Sequence, residues 1–229
     1  MISLQGYGPS IWDGTLLTIN VSLVSLLVAV ILGIFGALAK LSGVRLLKVA
    51  AQVYTTVIRG VPDLVLMLLV FYGGQTLVNQ LAITVGYNEY IDINPYIAGV
   101  STIGFIFGAY MTETFRGAIL AVPYGQLEAA HAYGMNRRQV FFRILLPQMV
   151  RHAIPGFGNN WLVLTKATAL VSIIGLDDMV RKASLAAGAT RMPFTFYAAV
   201  AGIYLMITTV SIYLLQWLEK RYSFGVHRD

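Results

Sequence analysis

The chain has 229 residues, 57% of them apolar and only 11% charged, where a soluble domain carries about 25% charged residues. With a mean hydropathy of +0.72, this excludes a disordered chain, a basic DNA-binding domain and an ordinary soluble enzyme, and leaves an integral membrane protein with one domain. Cysteine is absent, which also excludes disulfides, thiolate metal sites and cysteine nucleophiles.

A membrane-crossing helix needs about 20 uncharged, mostly apolar residues. The first such stretch is 14–39, between Asp13 and Lys40. No Lys or Arg precedes it, so it reads as a span and not as a cleaved signal peptide. Its Gly33 and Gly36 predict close contact with another helix. Residues 41–59 are less apolar, with spaced charges, and read as an elbow along the inner membrane surface. Arg59-Gly60-Val61-Pro62 ends the elbow. Proline biases the residue before it away from helix, so the second span, 64–88, opens there. Asp63 falls in its first turn, where the helix dipole favours an anion. A short acidic loop with Glu89 and Asp92 leads to the third span, about 94–115, which contains Gly99, Gly104 and Gly108. A non-membrane segment of about 117–150 follows. The fourth span runs from His152 to Leu176, interrupted by one charge, Lys166. It opens with Pro155-Gly156, tolerated in a membrane only where the freed backbone groups meet protein or water. The fifth span, 193–217, ends in an interfacial anchor of Trp217, Glu219, Lys220 and Arg221.

Most basic residues fall on one side of these spans. Lys40, Arg45, Lys48 and Arg59 lie in the elbow, five arginines from Arg116 to Arg151 in the long segment, and Lys220, Arg221 and Arg228 in the tail. The opposite loops hold only Arg181, Lys182 and Arg191. The positive-inside rule then places the N-terminus in the periplasm and the C-terminus in the cytoplasm. The net charge of +6 becomes a signal of topology, facing anionic lipid headgroups and not nucleic acid.

The long segment carries the informative spacing. Residues 126–133 form a short helix with Leu127, Ala130 and Tyr133 on one face, closed by Gly134 at the C′ position. So short a helix is unstable alone in water and has to dock on something. Glu128-Ala129-Ala130 is followed by Gly134 six residues after the glutamate, by Ile144 ten further on, and by Leu146-Pro147. This pattern resembles the EAA loop of bacterial ABC importer permeases. Arg59-Gly60-Val61-Pro62 is similar to the Arg-Gly-Thr-Pro signature of that family's polar amino-acid branch, with Val61 in place of Thr. Ala109-Tyr110 through Glu113 to Arg116-Gly117 resembles a stretch of the same branch, as do Asn159-Asn160-Trp161 and Lys166 to Ser172.

The resemblance implies an all-α, polytopic fold of five transmembrane helices, the type I ABC importer permease fold, in the bacterial inner membrane. Its short helix would be the coupling helix, inserted into a groove of an ATP-binding subunit. Glu128 would anchor the loop, and the small Ala129 and Ala130 would allow close approach. The implied partners are a homologous permease subunit, two ATP-binding subunits that hold ATP and Mg, and a periplasmic amino-acid-binding protein. The implied substrates are polar amino acids, foremost the basic ones, with glutamine or glutamate as the alternative. In related subunits for basic substrates an acidic residue takes the place of Asn160, so its absence here favours a heterodimer whose other subunit supplies the carboxylate.

The residues themselves exclude other chemistry. There is no Gly-x-x-x-x-Gly-Lys-Ser/Thr and no Gly-Lys pair, so the chain is not an enzyme and any ATPase acts in trans. His131, His152 and His227 have no metal-ligand spacing. An ion-driven transporter would want midplane acids or inverted repeats, and neither is present. Ionisable and amide groups in a bilayer suggest either a pathway or a buried pair. Lys166 lies about 11 residues, roughly 16 Å, into its span. It is expected to pair with Glu113, the other reading being a pathway residue. Asn159 and Asn160 are candidates for substrate or subunit contacts or for links between helices, and Tyr72 is a weaker pathway candidate.

Overall fold

The structure is a computed structural model and describes residues 4–222. Every regular element among the described residues is helical. Helix α1 spans Gly8–Leu41, with Pro9 in its first turn, and ends where Ser42 Oγ donates to the Ala39 carbonyl at 2.8 Å. Helix α2, Arg45–Gly60, is the elbow. Leu46, Val49, Val53 and Val57 are exposed along it, while Ala51, Thr55 and Ile58 are buried. Val61 is extended ahead of Pro62, as a pre-proline residue should be, and α3 (Asp63–Thr84) starts at the next residue. Helix α3 contains a wide π turn at Leu69–Gly73.

Two amides of α3 fasten the loop that follows it. Asn79 accepts from the Ile91 N–H at 2.8 Å, and Gln75 accepts from the Ile93 N–H at 2.9 Å. Helix α4, Pro95–Leu120, is capped by Asn94, whose side chain accepts from the Tyr96 N–H. Helix α5 is Tyr124–Ala132. Helix α6 covers 137–167 and passes into a 3-10 turn at Thr168–Ser172. Helix α7 is Met179–Thr190 and α8 is Pro193–Tyr222.

Helices α1 and α4 run parallel in close contact. Going down the pair, the Tyr96 hydroxyl donates to Asn20, and Ser25 Oγ donates to the Val100 carbonyl. Gly104 then lies against Val28, and Gly33 and Gly36 lie against Met111 and Thr112. A Cβ on Gly33 or Gly36 would collide with those side chains, so the close contact expected from the sequence is present. Helix α6 runs antiparallel to α4, since Gly156 meets Thr114 and Val171 meets Gly99. Helix α8 runs with α1: the Tyr7 and Phe196 rings meet edge to face at one end, and Ile34 and Tyr222 line one groove at the other. The molecule therefore has two ends, one holding α2 and α5, the other holding the 85–94 loop and α7.

Among the described residues, three helices are long and apolar enough to cross a membrane: Gly8–Leu41, Asp63–Thr84 and Pro193–Tyr222. Helix α4 carries more glycine and polar residues because it lies between the others, where backbone contact replaces side-chain bulk. Two boundaries differ from the sequence reading. The fourth long helix begins at Arg137, well before His152, and carries Pro147 and Pro155 within it. The stretch read as a loop around Arg181 contains helix α7. Asp178 starts that helix by accepting from the Arg181 N–H at 2.9 Å. The α7 backbone presses on α1 so closely that a Cβ on Gly14 would lie 2.9 Å from Met179 N.

Candidate functional site: the α5 loop and the uncovered helix faces

Helix α5 starts directly after Pro123 and is closed in the Schellman manner. The Met135 N–H reaches back to the Ala130 carbonyl at 3.1 Å and the Gly134 N–H to that of His131 at 2.9 Å. This closure requires Gly134 at φ +78°, a left-handed value where a side chain is strained. Asn136 then opens α6 with a reciprocal cap: its side chain accepts from the Gln139 N–H, and Gln139 accepts from the Asn136 N–H, both at 2.9 Å. Pro147 has no N–H for the Arg143 carbonyl, and the helix widens into a π turn at Phe141–Leu145, which contains Ile144.

One side of α5 docks and the other stays open. Ala130 is buried and Leu127 is half-buried, and the helix packs on the 137–145 segment. The Gln148 amide donates to Gln126 and ties α5 to α6, a link the sequence reading did not find. Glu128 and Ala129 are exposed. Tyr133, expected on the docked face, is 88% exposed, because the left-handed closure begins right after it and swings it outward. Glu128, Tyr124, His131 and Arg137 border an open cavity of about 710 Å³. Among the described residues Glu128 is in no ion pair. Of the remaining motif positions, Ile144 and Leu146 are half-buried and Pro147 is exposed.

The structure separates the expected pathway residues. Asn160 is buried and donates to Thr114 Oγ1 at 2.9 Å, so it links α6 to α4. Asn159 is exposed, as is Lys166. They are seven residues apart and so share a face of α6 to within about 20°. Tyr72 is exposed on the π turn of α3.

The expected Glu113–Lys166 pair is not formed. Glu113 is paired with Lys40 of α1, whose side chain is only 4% exposed, and with Arg116 Nε at 3.0 Å. The antiparallel register explains this. With Thr114 opposite Gly156, Lys166 falls near residue 104 of α4, roughly 13 Å along the axis from Glu113. Lys40 is at the correct level because α1 runs parallel to α4. Among the described residues Lys166 is in no ion pair.

A bundle of long apolar helices with a short, half-docked helix at one end has the build of a multi-pass membrane protein. The chain belongs to the family described as binding-protein-dependent transport system inner membrane component, matched over residues 29–224. It is 52% identical to the histidine/lysine/arginine/ornithine transport system permease protein HisQ of Escherichia coli strain K12, covering 98% of both chains. It is 38% identical to the octopine transport system permease protein OccQ of Rhizobium radiobacter, covering 98% of this chain and 97% of that one. Its structure is similar to the crystal structure of an amino acid ABC transporter with histidines, with a TM-score of 0.80, 32% identity, and 94% and 95% of the two chains covered.

Proposed function

We propose that the chain is a permease subunit of a type I, ATP-driven importer for polar amino acids, foremost basic ones. It crosses the bacterial inner membrane five times, with its N-terminus in the periplasm. Helices α1, α3, α4, α6 and α8 alternate in direction, which supports five crossings. The end holding α2 and α5 carries most of the basic residues, which supports the cytoplasmic assignment. Relatives named for transport of histidine, lysine, arginine, ornithine and octopine support the substrate class.

The observation that carries this reading is the open face of α5. Its exposed Glu128 and Ala129 are held out by the Gly134 closure while Ala130 anchors the opposite side. That face docks on an ATP-binding subunit, which holds ATP and Mg. Closure of the ATP-binding subunits moves α5, and the Gln126–Gln148 link passes the motion to α6. The chain alternates with a homologous permease subunit between outward and inward states, because ATP binds the two global states differently. A periplasmic binding protein delivers the amino acid. The uncovered face of α6 with Asn159 and Lys166, together with Tyr72, lines the path at the interface of the two permease subunits.

The test is uptake into proteoliposomes of the complete transporter, with its binding protein, across a panel of labelled amino acids. ATP-dependent uptake of arginine, lysine or histidine is expected. Uptake of only uncharged or acidic amino acids would overturn the substrate class, and uptake without ATP would overturn the mechanism.

A further inference from the structure

At the α2 end a second cavity, about 470 Å³, opens between the elbow and α4. This is far more room than one water needs, at about 30 Å³ of liquid volume. Gln52, Thr56, Arg59, Tyr110, Glu113 and Arg116 line it. Its charge does not balance. The Glu113 carboxylate is already met by the buried Lys40. Arg116 uses only Nε on Glu113, so its terminal nitrogens carry no hydrogen bond among the described residues. Arg59 is in no ion pair there, and its guanidinium lies 5.4 Å from the Tyr110 ring centroid. Two arginines thus line one cavity with unused guanidinium donors, the donor chemistry that suits a phosphate.

The neighbouring surface tells which phosphate fits. The exposed stripe of Val49, Val53 and Val57 lies roughly a quarter turn around α2 from the face bearing Gln52, Thr56 and Arg59. A free anion has no use for that stripe, whereas the acyl chain of a lipid does. We propose that this cavity binds the headgroup of an anionic phospholipid of the inner leaflet, with Arg59 and Arg116 on its phosphate and its chain along the apolar stripe of α2. Basic pockets between helices on the cytoplasmic side hold such headgroups. The inference rests on the topology proposed above, which sets the cavity at the inner surface.

The experiment counts lipids retained by the assembled transporter, by native mass spectrometry after detergent extraction from membranes containing phosphatidylglycerol and phosphatidylethanolamine. The parent is expected to retain phosphatidylglycerol preferentially. Arg59→Gln should cut retention about tenfold, the loss of one strong charge-assisted contact. Thr56→Glu, at an exposed position that folding tolerates, should do the same by placing a carboxylate in the cavity, and Arg59→Lys should fall between. Inorganic phosphate at matched ionic strength should not displace the lipid. Equal retention in all variants overturns the site, and displacement by inorganic phosphate makes it a free-anion site. Reduced uptake with unchanged retention would make the cavity part of the transport path instead. A Lys48→Cys variant, labelled by an impermeant maleimide from one side at a time, tests the topology separately. Labelling from the periplasm would overturn that reading whatever the lipid result.

Discussion

Asp178 is fully buried at the start of α7. One carboxylate oxygen caps the helix, while the other has no hydrogen-bond partner among the described residues. Burial pushes its pKa up from 3.8 to about 6, against the lowering effect of the Arg181 N–H. An aspartate raised on folding binds more protons folded than unfolded between those values. Stability therefore falls as pH rises from about 4 to about 6 and is level above that. Asp178→Asn keeps a capping oxygen and removes the charge. It should raise the melting temperature by about 3 °C near pH 7.5, with the gain fading towards pH 5, as read by thermal melts in detergent. The Lys40–Glu113 pair makes the opposite case, because removing one partner strands a buried charge. Glu113→Gln, which leaves the Lys40 ammonium buried without its carboxylate, is expected to destabilise the chain by about 3 kcal/mol. The swap Lys40→Glu with Glu113→Lys should recover part of the loss in the same melts, whereas Glu113→Lys with Lys166→Glu should recover nothing.

At the scale of the element, α5 depends on one left-handed residue. No heavy atom lies within 4 Å of a Cβ built on Gly134, so a substitution there is opposed by backbone conformation alone, by about 1 kcal/mol for Ala. Gly134→Val should leave the amount of chain in the membrane unchanged and lower co-purification of the ATP-binding subunit. Gly134→Asn, which tolerates the left-handed region, should restore it. The α1–α4 contact responds differently. Gly36→Val drives side-chain atoms into Thr112 and should lower the melting temperature through overpacking of about 1–3 kcal/mol. Helices α5 and α7 also differ in how legible they were. The α5 closure was readable because Gly134 sits at a fixed distance from Glu128. Helix α7 was missed, although Asp178 followed by Ala183, Ala186 and Ala187 is a capped helix with a small-residue face. The charges of Arg181 and Lys182 drew the reading towards a loop.

On the scale of the molecule, the absence of cysteine makes topology directly testable. A single cysteine at Ser184, exposed on α7, should react with an impermeant maleimide on intact spheroplasts. One at Tyr133 should react only after permeabilisation. The reverse pattern would invert the proposed orientation.

Scarcity of charge, the sidedness of the basic residues and the Glu128–Pro147 spacing are local or additive properties, and each could be counted along the chain. They established a helical membrane protein, its cationic end and its α5 loop from the sequence alone. Which groups meet across helices is a matter of register, and register depends on the direction and closeness of packing. Only the tertiary structure decided that Glu113 answers to Lys40 on a parallel neighbour and not to Lys166 on an antiparallel one. It also decided that Asn160 faces inward while Asn159 stays uncovered. The few charges that had marked the membrane thus acquired separate places: an ion pair between α1 and α4, a cationic cavity and the open face of α5.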